Sequence, residues 1–127
     1  MRNLVLAVLA TALLGAGTAH AHHSPAIFDH TKKITIVGTI TEFKWMSPHS
    51  WIHIDVADEN GEVHNWGVEM DPASLLARGG WKSNSIKAGD KVSILIYPLR
   101  NNEKGGQYIS ITLPDGTTLG TRESKVL

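Results

Sequence analysis

The chain has 127 residues, with 12 Lys+Arg against 12 Asp+Glu, seven histidines and no cysteine. That length allows one domain, and with zero formal charge the overall electrostatics favour neither nucleic acid nor an anionic membrane as a partner. The absence of cysteine excludes disulfides, thiolate metal sites, iron–sulfur clusters and cysteine nucleophiles. Any metal site in this protein must therefore use nitrogen ligands, with at most some oxygen or thioether donors.

Residues 1–21 have the pattern of a secretory signal peptide. Arg2 supplies the positive start, Leu4–Leu14 is a short apolar run, and Ala19-His20-Ala21 is a small-x-small cleavage pattern. A membrane anchor is the alternative, but the run is shorter than the roughly 18–20 residues that span a bilayer. We expect export to a bacterial periplasm, with no membrane span left after cleavage.

Cleavage after Ala21 would leave a mature chain that begins with His22 and His23. The amine and ring nitrogen of a terminal histidine can chelate one metal ion, and a second imidazole supplies a third nitrogen. A cleavage shifted by one residue would place histidine third in the chain, which also binds Cu(II). Such nitrogen donors favour copper, with zinc or nickel as weaker candidates. The alternative is a polar stub with no metal.

The first half of the mature chain predicts an extended N-terminal segment and two strands. Residues 22–33 are irregular, and 34–45 form a long β-branched run in which Gly38 indicates a bulge or bend. Ser47-Pro48 ends that run, and a second strand with strict alternation covers 50–57.

A hairpin turn at 58–61 leads to a third strand over 62–69. Asp71-Pro72 then has the pattern of an N-cap followed by proline at the first helical position. The short helix it starts, 72–78, should end at Gly79-Gly80, where glycine can adopt the left-handed conformation.

Two further strands complete the predicted domain, 91–97 and 107–113, followed by a short 117–119 segment and a flexible tail at 120–127. The order β-β-β-α-β-β predicts an all-β fold, a small five-stranded OB-like Greek-key barrel with one short helix between strands 3 and 4, over residues 34–119. A small antiparallel sandwich or an open roll is the alternative. The position of the helix favours the barrel.

Side-chain alternation assigns the unusual residues to faces. If the isoleucines of strand two point inward, Trp51, His53 and Asp55 point outward. A four-residue turn at 58–61 and a two-residue Asn60-Gly61 turn would both pair odd positions of strand two with even positions of strand three. We therefore expect one outer face that carries the following residues: Trp51, His53, Asp55, His64 and Trp66.

Two tryptophans on an exposed face are expected either to be covered by another segment of the chain or to bind a ligand. Segment 22–33 could lie across them as a lid, which would carry His22, His23 and His30 toward the other histidines. The other interpretation is a ligand-binding face with Trp51 and Trp66 as its stacking platform, since this is the face on which OB folds usually bind.

The loop after strand one is a second candidate region. Met46 and His49 lie on it, and a thioether with an imidazole suits Cu(I). Core packing is the alternative for Met46, and for Trp45 a plug at the end of the barrel is favoured. Carboxylates at positions 55, 69 and 71 could orient imidazoles or could simply be solvated or capping.

Motifs of the common enzyme classes are absent, including the nucleophile elbow, the phosphate loop, the dinucleotide glycine pattern and H-E-x-x-H. Basic residues are scattered along the chain, so no nucleic-acid partner is expected. We expect a protein that is not an enzyme.

With these residues identified, the chain resembles a bacterial family of small exported proteins of unknown function. The matching motifs are His22-His23-Ser24, Phe28-Asp29, Gly38-Thr39-Ile40, Trp45 with Pro48-His49, Trp66 with Glu69, Gly80-Trp81 and Gly89-Asp90. The layout is also similar to periplasmic copper chaperones that use a small OB barrel with Met, His and Trp around Cu(I). Met46 and Met70 are the only methionines of the mature chain, so an all-sulfur site is not expected.

Two hypotheses of function follow. The first is a periplasmic, non-enzymatic metal-binding protein, favouring copper, in which His22 and His23 are primary ligands and His49, His53 or His64 complete the set. The alternative is an OB-fold module that binds a small ligand or another periplasmic protein through the face of Trp51 and Trp66.

Overall fold

The computed structural model of the protein describes residues 25–120. The predicted signal peptide, His22 and His23 lie outside the described residues, as does the predicted tail beyond Gly120. The elements in chain order are a 3-10 turn Pro25–Ile27, β1 Ile34–Lys44, β2 Trp51–Ala57, β3 Val63–Glu69, α1 Ala73–Arg78, β4 Lys91–Pro98, β5 Gly105–Thr112 and β6 Thr118–Gly120. The predicted strands and helix are confirmed, with bounds that differ by two residues at most.

The strands close into a barrel. Their order is β3-β2-β1-β4-β5, and a parallel pairing of β3 with β5 joins the two ends. The long β1 makes closure possible because it pairs twice, with β4 over Ile34–Thr39 and with β2 over Thr39–Lys44. This is the topology of the five-stranded OB barrel, so the predicted fold is confirmed and the sandwich and open roll are excluded. The short β6 adds a sixth strand, antiparallel to β5.

Gly38 lies where β1 changes its partner from β4 to β2. A Cβ atom at this position would overlap the carbonyl oxygen of Asp55 on β2, so only glycine allows the two backbones to approach this closely. The irregularity in the β1–β2 register lies between Ile40 and Glu42. Gly38 therefore marks the close approach, and the predicted bulge itself falls a few residues later.

The barrel interior is filled by the alternate positions predicted from the sequence. Ile52, Ile54, Ile94 and Ile96 are all fully buried. Trp81, from the connection between α1 and β4, covers one part of this core and lies edge-on to Tyr108 with ring centroids 5.6 Å apart. Burial raises the pKa of the Tyr108 hydroxyl, which donates a hydrogen bond to the carbonyl of Leu119 at 2.8 Å. Apolar packing across the barrel is the main source of stability for a domain of this size.

The helix begins differently from the prediction. Pro72, not Asp71, occupies the N-cap position, and no side chain caps the helix. Gly80 adopts a positive φ of 97° just after the helix, as expected of a glycine that ends one. Among residues 25–120, no helix is long and apolar enough to cross a membrane.

Candidate functional site

Glu69 lies at the centre of a polar part of the barrel surface. Its carboxylate is almost buried, with 10% of the side chain exposed, although it lies on the outer face of β3. Its strand neighbours are Trp51 on β2 and, through the parallel closure, Gln107 on β5. Paired residues project to the same side of a sheet, so these three side chains form one row. We call the surface formed by His49, Trp51, His53, Glu69 and Gln107 the Glu69 surface.

His49 is held against this row through its Nδ1 nitrogen. Its Nδ1 lies 3.2 Å from a carboxylate oxygen of Glu69 and 3.1 Å from the carbonyl oxygen of Met70. An ionised carboxylate and a carbonyl can only accept, so Nδ1 must carry the proton and donate it. In the neutral ring the lone pair is then on Nε2. A carboxylate or carbonyl that fixes a histidine in this way is the usual outer partner of a metal-ligating imidazole.

The loop that carries His49 is fixed by a buried serine. The Ser50 hydroxyl donates to the Met46 carbonyl at 3.0 Å and accepts from the Met46 N–H at 3.2 Å. Backbone bonds from Ser50 to Asp71 and from Met70 to Ser50 join this loop to the segment after β3. The two segments that hold His49 and its acceptors are thus tied together. Within the loop, Ser47-Pro48 is a cis peptide bond.

The neighbouring side chains of the loop have different environments. Met46 is 45% exposed, so its alternative interpretation as a core residue is wrong. Trp45 packs partly buried against the core and lies edge-on to Phe43 with centroids 5.9 Å apart. The prediction of a tryptophan that plugs the barrel agrees with this position.

His53 lies beside Trp51 on the outer face of β2. The two rings are nearly parallel, at 16°, with centroids 6.5 Å apart. Gly67 is directly opposite His53 on β3, and a Cβ atom there would be 3.9 Å from both rings. The glycine therefore leaves a flat backbone surface beneath the two rings. Within residues 25–120, the ring nitrogens of His53 make no hydrogen bond or ion pair.

His30 approaches the same row from the N-terminal segment. Its Nε2 lies 2.8 Å from the amide oxygen of Gln107, and its ring is edge-on to Tyr97 at 4.7 Å. Because that oxygen can only accept, the imidazole Nε2–H is the donor. Three histidines from separate parts of the sequence are thus brought to Glu69 or to its strand neighbours.

The described part of the N-terminal segment does not form the predicted lid across both tryptophans. It runs along the end of β4 instead: the Asp29 N–H donates to the Pro98 carbonyl at 2.8 Å, Phe28 forms a bridge with Leu99, and Arg100 donates to the carbonyl of Ile27. Phe28 is buried there, with 5% exposed, which gives an apolar reason for this course. His22 and His23, the two primary ligands predicted from the sequence, lie outside the described residues.

The prediction that His64 and Trp66 share a face with Trp51 and His53 is wrong. In the observed register Ile54 pairs with Trp66 and Val56 with His64, so even positions pair with even positions. The physical reason is the turn, which has five residues, Asp58–Glu62, rather than four or two. One residue more or less reverses the face of every side chain on the next strand.

Trp66 accordingly packs against the core, with the Lys104 ammonium over its ring at 5.4 Å. Trp51 and Trp66 do not form one stacking platform. His64 instead contacts the turn, where its Nε2 donates to a carboxylate oxygen of Asp58 at 2.9 Å.

Of the three carboxylates that could orient an imidazole, Glu69 contacts one among the described residues, and Asp55 and Asp71 have other partners. Glu69 contacts His49. Asp55 accepts a hydrogen bond from the Asn65 amide at 2.8 Å, and Asp71 contributes its backbone carbonyl to Ser50. Gln107 was missed, because the parallel β3–β5 pairing that places it beside Glu69 has no local sequence signal.

Comparison with known proteins assigns the chain to a family. No curated protein sequence matches the chain. Two crystal forms of the mitochondrial single-stranded DNA binding protein Rim1 from S. cerevisiae are similar in structure, each with a TM-score of 0.49. Their identities are 15% and 13%, over 65% of this chain and 93% or 92% of theirs. The sequence model of DUF6152, a family of unknown function, matches residues 10–108, and the chain belongs to that family.

Proposed function

We propose that this protein is an exported, periplasmic, non-enzymatic copper-binding protein whose site forms on the Glu69 surface. His22, through its amine and ring, and His23 are the primary ligands, and His49 or His53 completes the set. One observation carries the proposal: an imidazole held through Nδ1 by a carboxylate and a carbonyl lies on the same surface as a second imidazole, whose ring nitrogens have no hydrogen-bond partner among residues 25–120. Nitrogen donors without thiolate favour Cu(II).

The course of the N-terminal segment supports this assignment. Arg100 donates through its backbone and side chain to the carbonyls of Ile27 and Ala26. The next residue inward, Leu99, donates to Gly105, and Gly105 pairs with Gly67 beneath His53. The described part of the segment is therefore held by Arg100, next to the loop that leads into β5.

The test is a Cu(II) titration of the chain that begins at His22, with a competing chelator and with electron paramagnetic resonance. We expect one Cu(II) bound more tightly than micromolar, with a spectrum that shows several nitrogen ligands. The N-terminal residue of the exported protein, determined by intact mass, establishes that the tested chain is the natural one. Affinity of micromolar or weaker that His22→Ala leaves unchanged would contradict the proposal.

Glu69 should act as a positioning residue for the same site. Glu69→Gln keeps the size of the side chain but removes the charge that holds the Nδ1 proton of His49, and loss of such a partner typically costs 10- to 100-fold in metal affinity. We expect a decrease of about ten-fold in Cu(II) affinity with little change in the circular dichroism spectrum. Glu103→Gln, in an exposed loop, is the matched control and should bind like the native chain. Equal affinities for the two variants would remove Glu69 from the site.

A further inference from the structure

Three metal-ligating side chains meet at the far end of the β2–β3 hairpin. Asp58, Glu62 and His64 each present a ligand atom, and these atoms all lie within 4.8 Å of one another. The five-residue turn explains the convergence: Val56 pairs with His64, and Asp58 and Glu62 lie two residues further along on the same face. We call these three residues the hairpin-tip cluster.

The turn holds Asp58 rigidly. One carboxylate oxygen accepts from the backbone N–H groups of Asn60 at 2.8 Å and Glu62 at 3.0 Å. The other accepts from His64 at 2.9 Å, and this bond is the main reason that the pKa of Asp58 lies below its ordinary value. The carboxylate is therefore ionised and aimed at the imidazole.

The cluster brings two carboxylates and one imidazole within a radius that one cation could occupy. Among residues 25–120, no lysine or arginine forms an ion pair with Asp58 or Glu62. Carboxylates this close repel each other, and a divalent cation between them would neutralise both.

We propose that the hairpin-tip cluster is a second metal site, for a divalent cation of the zinc class, separate from the Glu69 surface. Two carboxylate oxygens and one imidazole nitrogen form a ligand set suited to Zn(II), with water in the remaining position. Binding requires the Nε2 proton of His64 to move to Nδ1 or to leave the ring, so uptake of the ion is favoured at neutral pH over acid pH. This proposal does not depend on copper at the N-terminus.

The experiment is a Zn(II) titration by calorimetry and by amide NMR on the mature chain with His22→Ala and His23→Ala, which removes the N-terminal chelate. We expect one site, with shifts concentrated at residues 58–64. Glu62→Gln and Asp58→Asn should each weaken binding at least about ten-fold, and Asp58→Asn retains an oxygen for the turn.

Glu59→Gln is the matched control, because it removes an exposed carboxylate of the same turn that is not a member of the cluster. It should bind Zn(II) within about two-fold of the background chain. Two results would overturn the proposal: no saturable Zn(II) binding, or equal binding by the Glu59 and Glu62 variants. Failure of the copper site would leave the expected Zn(II) result unchanged, so the two proposals can fail separately.

Discussion

A mature chain with both His22→Ala and His23→Ala is expected to bind Cu(II) at least about 100-fold more weakly than the chain that begins with native His22, a difference of roughly 2.7 kcal/mol. The two substitutions remove the imidazole that shares a chelate ring with the terminal amine and the second imidazole beside it, so an isolated amine replaces a three-nitrogen donor. His49 and His53 remain, but without the terminal chelate they supply at most two nitrogens. The measurement is competition with a chelator of known Cu(II) affinity.

Two controls separate ligation from folding. His64→Ala changes a histidine that contacts Asp58 at the hairpin turn, outside the Glu69 surface, and should leave Cu(II) affinity within about two-fold. Acetylation of the terminal amine keeps all side chains and their positions but removes the amine as a ligand, and should weaken binding at least about ten-fold. If the acetylated chain binds like the native one, the terminal chelate does not exist and the copper proposal is wrong.

The pH dependence of the same site has a definite sign. Imidazole nitrogens ligate only when neutral, and histidine side chains ordinarily protonate near pH 6.5. Copper affinity should therefore be greatest above that pH and fall steeply between about pH 6 and 5, as protons displace the metal. A site built from carboxylates alone would retain copper to lower pH, so the titration also tests the type of ligand.

The order of the elements and the position of the helix predicted the barrel, and alternation within strands predicted which side chains fill it. The isoleucines of β2 and β4 fill the interior as expected, because a period of two is a property of each strand alone. The faces of β3 were predicted wrongly, because they depend on the number of residues in one turn. Asp58 closes that turn over five residues by accepting from two backbone N–H groups, a bonding pattern that residue types do not specify.

In the candidate site, too, some features could be predicted from the sequence and others depend on how the elements pack together. Glu69 as the orienting partner of a histidine was predicted as one of three carboxylates, and the structure selects it because the Ser50 bonds hold the His49 loop against the end of β3. Gln107 lies beside Glu69 only because the barrel closes, and His30 reaches the surface through its contact with Gln107. Contacts between strands distant in sequence depend on the whole topology, so no local pattern could have predicted them.

Gly38→Ala is expected to give the largest loss of stability of any single methyl addition considered for this barrel. The added Cβ would overlap the carbonyl oxygen of Asp55, and a backbone atom cannot move aside as the end of a flexible side chain can. Overpacking of this kind costs roughly 2–3 kcal/mol, equivalent to a decrease in Tm of roughly 10–20 °C for a domain of this size. Denaturant and thermal unfolding, followed by tryptophan fluorescence, measure the change.

Gly67→Ala is the matched control, since it also replaces a strand glycine of the barrel. Its Cβ would meet only the rings of Trp51 and His53, both at 3.9 Å, an ordinary contact distance. Alanine costs less backbone entropy than glycine in a strand, so the free energy of unfolding should stay within about 0.5 kcal/mol of the native value or rise slightly. Similar losses for the two variants would mean that the close approach at Gly38 does not limit how β1 passes from β4 to β2.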